Sequence, residues 1–181
     1  MIYCISNNKI IELMYDQNKI EEKIFEITKK IISDLKSENL TMVVLLKGSF
    51  IFASDLLRSL FCEGLNPTVE FIKVSSYHGK MESSGILNIE SNIPQSIKGA
   101  DVLLVDDICD TGLTLKEMKN LLIEKGANSV KTCVLLNKQE KRLVDINPDY
   151  VCFEIPDIFV VGYGLDYDEK YRGMHWLGKI N

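Results

Sequence analysis

The chain has 181 residues, 46% of them hydrophobic and 26% charged. These proportions are typical of a globular protein and predict one domain over residues 1–181 with a sizeable core. The formal net charge of −5 argues against a surface built to bind nucleic acid. No apolar run is long enough to span a membrane, and the first residues lack the basic start of a signal peptide. The five cysteines form no closely spaced pairs, so we expect reduced thiols and a cytoplasmic protein.

The first strong helix signal lies after residue 16. Helical spacing joins a set of apolar residues, Ile20, Ile24, Ile27, Ile31 and Leu35. This spacing predicts an amphipathic helix with one buried face. Asn18 and Glu21 have the spacing of a capping pair, so we expect the helix to begin at Asn18.

The largely apolar stretch Leu40–Leu46 predicts a buried strand, and Lys47-Gly48 follows it. Helical spacing returns over residues 50–62. Open α/β sheets bind ligands at the carboxyl ends of their strands, so Lys47 and Gly48 are candidate binding residues. The alternative is a plain strand-to-helix turn.

Val69–Ser75 alternates as a strand, and a polar stretch over about residues 75–86 separates it from a short strand pattern at Ile86–Ile89. A loop of this length between strands is either idle or a lid over a site. The Ser76-Tyr77 pair is the candidate part of such a lid.

The most informative stretch is residues 102–115. Its apolar run, Val102–Val105, has the pattern of a strand buried on both faces, and Asp106 and Asp107 end the run. A short turn over residues 110–112 leads into a helical pattern. We therefore expect a strand, an acidic turn and a helix in direct succession.

This order of elements suits a sugar phosphate. The free N–H groups and the dipole at the start of a helix attract a phosphate. Gly112 permits close approach of the backbone, and the Thr111 and Thr114 hydroxyls add donors. Since acids beside a phosphate would repel it, we expect Asp106 and Asp107 to bind ribose hydroxyls or a phosphate-bound Mg²⁺.

Two later strands are predicted at Ser129–Leu136 and Tyr150–Ile155. Lys138 stands just past the end of the first and is either a surface charge or a ligand-binding residue. Phe159 follows the second, and its ring is either a core side chain or a face on which a flat base stacks.

Residues 102–115 closely resemble the phosphoribosyl-pyrophosphate motif of type I phosphoribosyltransferases. That motif is a hydrophobic strand, two acids, two apolar or small residues, Asp-Thr/Ser-Gly and then Thr. Residues 154–167 are similar to the purine-recognition segment of the hypoxanthine-guanine members. The resemblance implies an α/β fold with a central, mainly parallel sheet flanked by helices. It also implies a small hood from the N-terminal residues and about 148–181, and a mobile loop at about 75–86.

The resemblance further implies a purine salvage transferase that converts hypoxanthine, and guanine, plus 5-phosphoribosyl 1-pyrophosphate to IMP or GMP and pyrophosphate. Asp110 would be the general base. The phosphoribosyl group and its 5′-phosphate would be bound by Asp106, Asp107, Asp110, Thr111, Gly112, Leu113 and Thr114. Pyrophosphate would be bound by Lys47, Gly48 and Arg172, and the purine by Lys138, Phe159, Val160 and Asp166. Mg²⁺ would be held by Asp106, Asp107 and Asp166. In this family the peptide bond before the lysine of the Lys-Gly loop is commonly cis.

Three alternatives stay open. The chain could use another base, namely xanthine and guanine, adenine or orotate. Lys138 and the Phe159-Val160 segment favour a 6-oxopurine, because a lysine ammonium would repel the amino donor of adenine. It could be a phosphoribosyltransferase-fold regulator that binds nucleic acid, or a non-catalytic α/β domain. From the resemblance we expect small-molecule substrates, no nucleic acid or membrane partner, and a homodimer or homotetramer.

Overall fold

The computed structural model describes residues 3–6, 9–35, 37, 39–76, 87–89 and 92–180 of the chain. The α-helices of this part are α1 Gln17–Asp34, α2 Phe50–Cys62 and α3 Leu113–Glu124. Its strands are β1 Tyr3–Ser6, β2 Lys9–Tyr15, β3 Leu40–Leu46, β4 Thr68–Ser76, β5 Leu87–Ile89, β6 Asp101–Cys109, β7 Ser129–Asn137, β8 Tyr150–Glu154, β9 Val160–Val161 and β10 Leu177–Ile180. None of the described helices combines the length and the apolar composition that a membrane crossing requires.

The larger sheet has the strand order β5-β4-β3-β6-β7-β8. The strands from β4 to β8 in this order are parallel, and β5 pairs with β4 in the antiparallel direction. Helices pack on both faces of the sheet. The predicted α/β fold with a mainly parallel, helix-flanked sheet is therefore confirmed.

Successive residues of the central strand β3 enter two different cores. Met42 and Val44 pack with α1 and α2, whereas Val43 and Leu45 pack with α3. This alternation follows from the period of two in a strand. Because helices cover both faces, the strand is apolar except for the buried Thr41, and each fully buried apolar side chain contributes roughly 1.5–3 kcal/mol.

Helix α1 has the buried face that its spacing predicts, since the predicted apolar residues are all in the core, namely Ile20, Ile24, Ile27, Ile31 and Leu35. The predicted start at Asn18 is wrong. The side chain of Asp16 caps the helix by accepting a hydrogen bond from Lys19 N at 2.8 Å. Glu21 instead accepts from the side chain of Gln17 at 2.8 Å. Asn18 lies inside the first turn because Asp16 satisfies the free N–H group two residues earlier than expected.

Strand β6 continues past its apolar run. Its pairing with β7 extends to Cys109 opposite Asn137, so Asp106 and Asp107 lie within the strand. Helix α3 then begins at Leu113 after a three-residue turn. The paired strand holds both carboxylates in fixed positions immediately before that turn.

A second, antiparallel sheet has the order β1-β2-β10-β9 and joins the two ends of the chain. All four of its strands lie in the two ranges predicted for the hood. Strand β8 also lies in the second of these ranges, but it belongs to the larger sheet. The role of this part as a hood over the base stays a prediction. Tyr77 and the rest of the predicted mobile loop lie outside the described residues, and the backbone of Ser76 ends β4.

Candidate active site

An open cleft of about 650 Å³ lies at the carboxyl ends of β3, β4 and β6. Four segments distant in sequence meet there, namely the turn after β3, the end of β4, the end of β6 with the following turn, and residues near position 170. The predicted site residues in its lining are Lys47, Gly48, Asp106, Asp107, Asp110, Thr111, Gly112, Thr114, Asp166 and Arg172. This edge of a parallel sheet is where open α/β folds bind ligands.

The turn between β6 and α3 has the geometry of an anion site. Gly112 has a φ of +83°, which favours glycine, and it immediately precedes the helix. No side chain at position 112 caps the N–H groups at the start of α3, and Gly112 and Thr114 line the cleft. Leu113 N makes one long contact, 3.4 Å, to the Thr111 hydroxyl oxygen. Such a turn attracts a phosphate through its N–H groups and the helix dipole.

Arg142 lies behind this turn. Its guanidinium donates to Cys109 Sγ and to Asn137 Oδ1. A Cβ at Gly112 would come within 2.9 Å of Arg142 Cδ, so the arginine packs directly on the glycine. Asn137 is in turn held by Glu154, at 3.0 and 3.1 Å to its two carboxylate oxygens. A positive charge is thus fixed against the back of the anion site.

Asp106 and Asp107 are the acidic part of the cleft. Burial, and then the neighbouring Asp107 carboxylate, raises the pKa of Asp106 well above the usual aspartate range. Burial also raises the pKa of Asp107, with the Arg172 charge acting in the opposite direction. Backbone N–H groups give each side chain one hydrogen bond, Asp107 N to Asp106 at 3.0 Å and Ile108 N to Asp107 at 2.8 Å. Both carboxylates would gain from a nearby cation.

These two carboxylates fit a hard divalent cation. Within the part of the chain that the structure describes, no group of three His, Cys, Asp or Glu side chains could hold a metal by itself. An ion bound by one or two carboxylates would take its remaining oxygen ligands from water and a phosphate-bearing substrate, which is the usual coordination of Mg²⁺. The oxygen donors present match that mode.

Two cations, Lys47 and Arg172, also line the cleft. Lys47 follows β3, and the peptide bond between Leu46 and Lys47 is cis, as expected from the resemblance. Arg172 forms an ion pair with Asp166 at 2.7 Å and donates to the carbonyl oxygen of Gly164 at 2.9 Å. These contacts fix the guanidinium at the cleft edge.

Asp110 stands where the anion site meets the rest of the cleft. Its Oδ1 is buried and has no hydrogen-bond partner among the described residues, whereas Oδ2 lies 3.8 Å from Lys141 Nζ. Lys141 also pairs with Asp157 at 3.1 Å, and Asp157 pairs with Lys138 at 3.3 Å. A line of alternating charges therefore connects Asp110 to Lys138.

Four predicted site residues lie outside the lining of the cleft. Leu113 opens α3, and Lys138 is 6% exposed, which excludes the surface-charge alternative. Phe159 is 51% exposed and meets Tyr167 edge-on at 5.5 Å between ring centres, so it is not a core residue. Val160 is buried in β9, opposite Lys179 of β10.

Sequence reasoning missed two residues of this site. Arg142 follows Lys138 in a charged segment, and nothing in its spacing indicates that it packs on Gly112. Glu169 lines the cleft and contacts both Lys47 and Arg172. Its position three residues before Arg172 could have indicated an ion pair at the site, but the same spacing is common between surface charges.

Comparison with known proteins identifies the family. The sequence profile of the phosphoribosyl transferase domain matches residues 12–168. The chain is 46% identical over 167 residues to a hypoxanthine-guanine phosphoribosyltransferase of Aquifex aeolicus, covering 92% of each chain. It is 42% identical over 170 residues to one of Dictyostelium discoideum, covering 93% of this chain and 94% of the relative.

Solved structures agree with this result. Hypoxanthine phosphoribosyltransferase from Trypanosoma cruzi, in complex with the product IMP, superposes with a TM-score of 0.89 at 37% identity. The superposition covers 100% of this chain and 97% of that one. The resemblance found in the sequence is confirmed, and the chain belongs to the phosphoribosyltransferase family.

Proposed function

We propose that this chain is a purine salvage transferase that joins hypoxanthine, and guanine, to 5-phosphoribosyl 1-pyrophosphate. The products are IMP or GMP and pyrophosphate. The observation that carries the proposal is the meeting of a turn suited to anions, two half-buried carboxylates and two cations in one cleft. The names of the relatives and the IMP bound to the Trypanosoma cruzi enzyme support the choice of a 6-oxopurine.

The phosphoribosyl group occupies the turn between β6 and α3. Its 5′-phosphate accepts hydrogen bonds from the turn over residues 110–114, including the hydroxyls of Thr111 and Thr114. The ribose hydroxyls reach the carboxylates of Asp106 and Asp107. This arrangement matches the charges of the site, because the phosphate binds at the start of helix α3 and the hydroxyls donate to the two carboxylates.

The pyrophosphate group lies against Lys47, Gly48 and Arg172. The breaking bond between the anomeric carbon and the pyrophosphate oxygen leaves positive charge on the ribose and negative charge on the leaving group. Fixed cations at the leaving group and fixed carboxylates at the sugar stabilise this separation. Asp106, Asp107 and Asp166 would hold Mg²⁺, which supplies charge neutralisation for the departing pyrophosphate.

The purine lies on the far side of the ribose from the pyrophosphate. Its ring stacks on the exposed face of Phe159, Lys138 donates to the 6-oxo group, and the backbone of Val160 meets the base near its 2-position. Asp110 accepts the purine N7 proton while N9 forms the bond to the anomeric carbon. Asp110 lines the cleft with a side chain that is 38% exposed, so its carboxylate can reach a bound purine.

The remaining parts of the proposal come from the family resemblance. Ser76 and Tyr77 belong to a loop that closes over the reacting centre and excludes water. The N-terminal residues and the C-terminal segment form a hood over the base. The protein works in the cytoplasm as a homodimer or homotetramer on small-molecule substrates.

One assay tests the function. Hypoxanthine, guanine, xanthine and adenine are each supplied with 5-phosphoribosyl 1-pyrophosphate, with and without Mg²⁺, and nucleotide formation is measured. We expect transfer to hypoxanthine and guanine that depends on Mg²⁺. Adenine as the best substrate would refute the assignment, and a preference for xanthine would move it to the xanthine-guanine class. Salt-sensitive RNA binding without transfer would indicate a regulator instead.

A further inference from the structure

Glu169 forms ion pairs with both cations of the pyrophosphate wall. Its Oε1 lies 2.9 Å from Lys47 Nζ, and its Oε2 lies 3.1 Å from Arg172 Nη2. Each carboxylate oxygen thus pairs with one cation, although Lys47 and Glu169 are 122 positions apart in the chain. All three side chains line the cleft.

The backbone of Glu169 is fixed while its side chain is open to solvent. Tyr167 and Lys170 exchange two backbone hydrogen bonds of 3.1 Å around a tight turn that contains Asp168 and Glu169. Asp166 Oδ2 accepts from Glu169 N at 2.9 Å. The Glu169 side chain is nevertheless 66% exposed, so it can rotate away without disturbing the turn.

The two cations differ in how firmly they are held. Arg172 is largely buried and has two further contacts that do not involve Glu169, one to Asp166 and one to Gly164. Lys47 is 54% exposed, and Glu169 is the partner that holds its ammonium next to Arg172. Hydrogen bonds from Lys47 and then Arg172 lower the pKa of Glu169, which keeps the carboxylate charged.

We propose that Glu169 occupies the pyrophosphate position of the ligand-free site and competes with pyrophosphate for Lys47 and Arg172. This inference rests on the proposed function, because it assigns that wall to pyrophosphate. A carboxylate mimics one edge of a phosphate, but it carries less charge and fewer oxygens than pyrophosphate. The substrate therefore displaces Glu169, and the returning carboxylate assists the departure of the product.

The direction of the effect separates this role from a structural one. If Glu169 competes, its neutralisation tightens pyrophosphate binding. If Glu169 only organised the two cations, the same change would weaken binding. Exposed ion pairs are individually weak, so removing two of them should change the affinity by about 3- to 10-fold.

The test uses Glu169→Gln in the full chain, with inorganic pyrophosphate and Mg²⁺ as the titrated probe in calorimetry. We expect the dissociation constant for pyrophosphate to fall by about 3- to 10-fold, with the KM for hypoxanthine unchanged. Asp168→Asn is the matched control, because it removes one negative charge from the same exposed turn. It should leave the pyrophosphate affinity at the parent value.

Glu169→Asp provides a second comparison. It keeps the charge but shortens the arm, so contact with both cations is lost. If Glu169→Asp binds pyrophosphate as tightly as Glu169→Gln does, direct competition is supported. If its pyrophosphate affinity equals that of the parent, the effect is one of general charge and the proposal is overturned. Unchanged or weaker pyrophosphate binding by Glu169→Gln overturns it as well. A parent protein that binds no pyrophosphate would refute both this inference and the pyrophosphate site of the proposed function.

Discussion

The carboxylate of Asp107 packs directly on the backbone of Gly48, so that a Cβ at position 48 would overlap the carboxylate and lie 2.6 Å from Asp107 Cγ. This contact joins the turn after β3 to the end of β6. It places the backbone of the predicted pyrophosphate loop beside the carboxylates predicted to bind ribose and metal. The two halves of the site are therefore mechanically linked.

Gly48→Ala should displace the Asp107 carboxylate and lower kcat/KM by about 100-fold or more, because small misplacements at a reacting centre are costly. Steady-state kinetics with hypoxanthine would measure the effect. Gly173→Ala is the matched control, since a Cβ there meets nothing within 4 Å. Equal activity of the two variants would show that the close approach of Gly48 to Asp107 does not matter for transfer.

Asp110→Asn should lower turnover by about 10²- to 10⁴-fold, the usual contribution of a general base. The shape of the side chain is kept while the proton acceptor is lost, so the KM for 5-phosphoribosyl 1-pyrophosphate should change little. Turnover at saturating substrates, with the melting temperature as a check on folding, measures this. Near-parent turnover would remove Asp110 from the role of base.

Asp106→Asn should stabilise the ligand-free protein while impairing transfer. The pKa of Asp106 is raised in the folded state, above the value of about 3.9 for an unfolded chain. Between the unfolded pKa and the raised folded pKa, the folded state binds more protons than the unfolded state. The free energy of unfolding therefore falls as the pH rises through this range. Asparagine removes this penalty, and each kcal/mol gained raises the melting temperature by about 2–4 °C.

Melting curves at pH 5 and pH 8 without ligand test this prediction. The gain of Asp106→Asn over the parent should be larger at pH 8, and added Mg²⁺ with pyrophosphate should stabilise the parent more than the variant. Asp145→Asn, at an exposed position, serves as the control and should melt like the parent. A lower melting temperature of Asp106→Asn at pH 8 would contradict the expected penalty.

Arg142→Gln should raise the KM for 5-phosphoribosyl 1-pyrophosphate by about tenfold, equivalent to about 1.4 kcal/mol, with a smaller change in kcat. The guanidinium supports Gly112 and adds positive charge behind the phosphate turn. Arg58→Gln removes the same charge from a side chain that is 73% exposed and should have no effect. An unchanged KM in Arg142→Gln would show that the turn binds phosphate without this support.

Much of the fold followed from local pattern. The spacing of Leu115 and Met118 predicted α3, and the apolar run at Val102–Val105 predicted the strand before it, because both patterns reflect which side chains contact a core. The predicted start of α1 at Asn18 is wrong because the side chain of Asp16 caps the helix instead. Strand β6 is longer than its apolar run because β7 supplies hydrogen bonds to residues that are not themselves apolar.

The family, the α/β fold and the strand, acidic turn and helix over residues 102–115 could be predicted from the sequence, since these depend on residues close together in the chain. Three contacts became visible only in the folded chain: Gly48 with Asp107, Arg142 with Gly112, and Glu169 with Lys47. Such contacts depend on how strands and turns distant in sequence are brought to the same sheet edge. No local spacing encodes that arrangement, because it is set by the packing of the whole sheet and its helices.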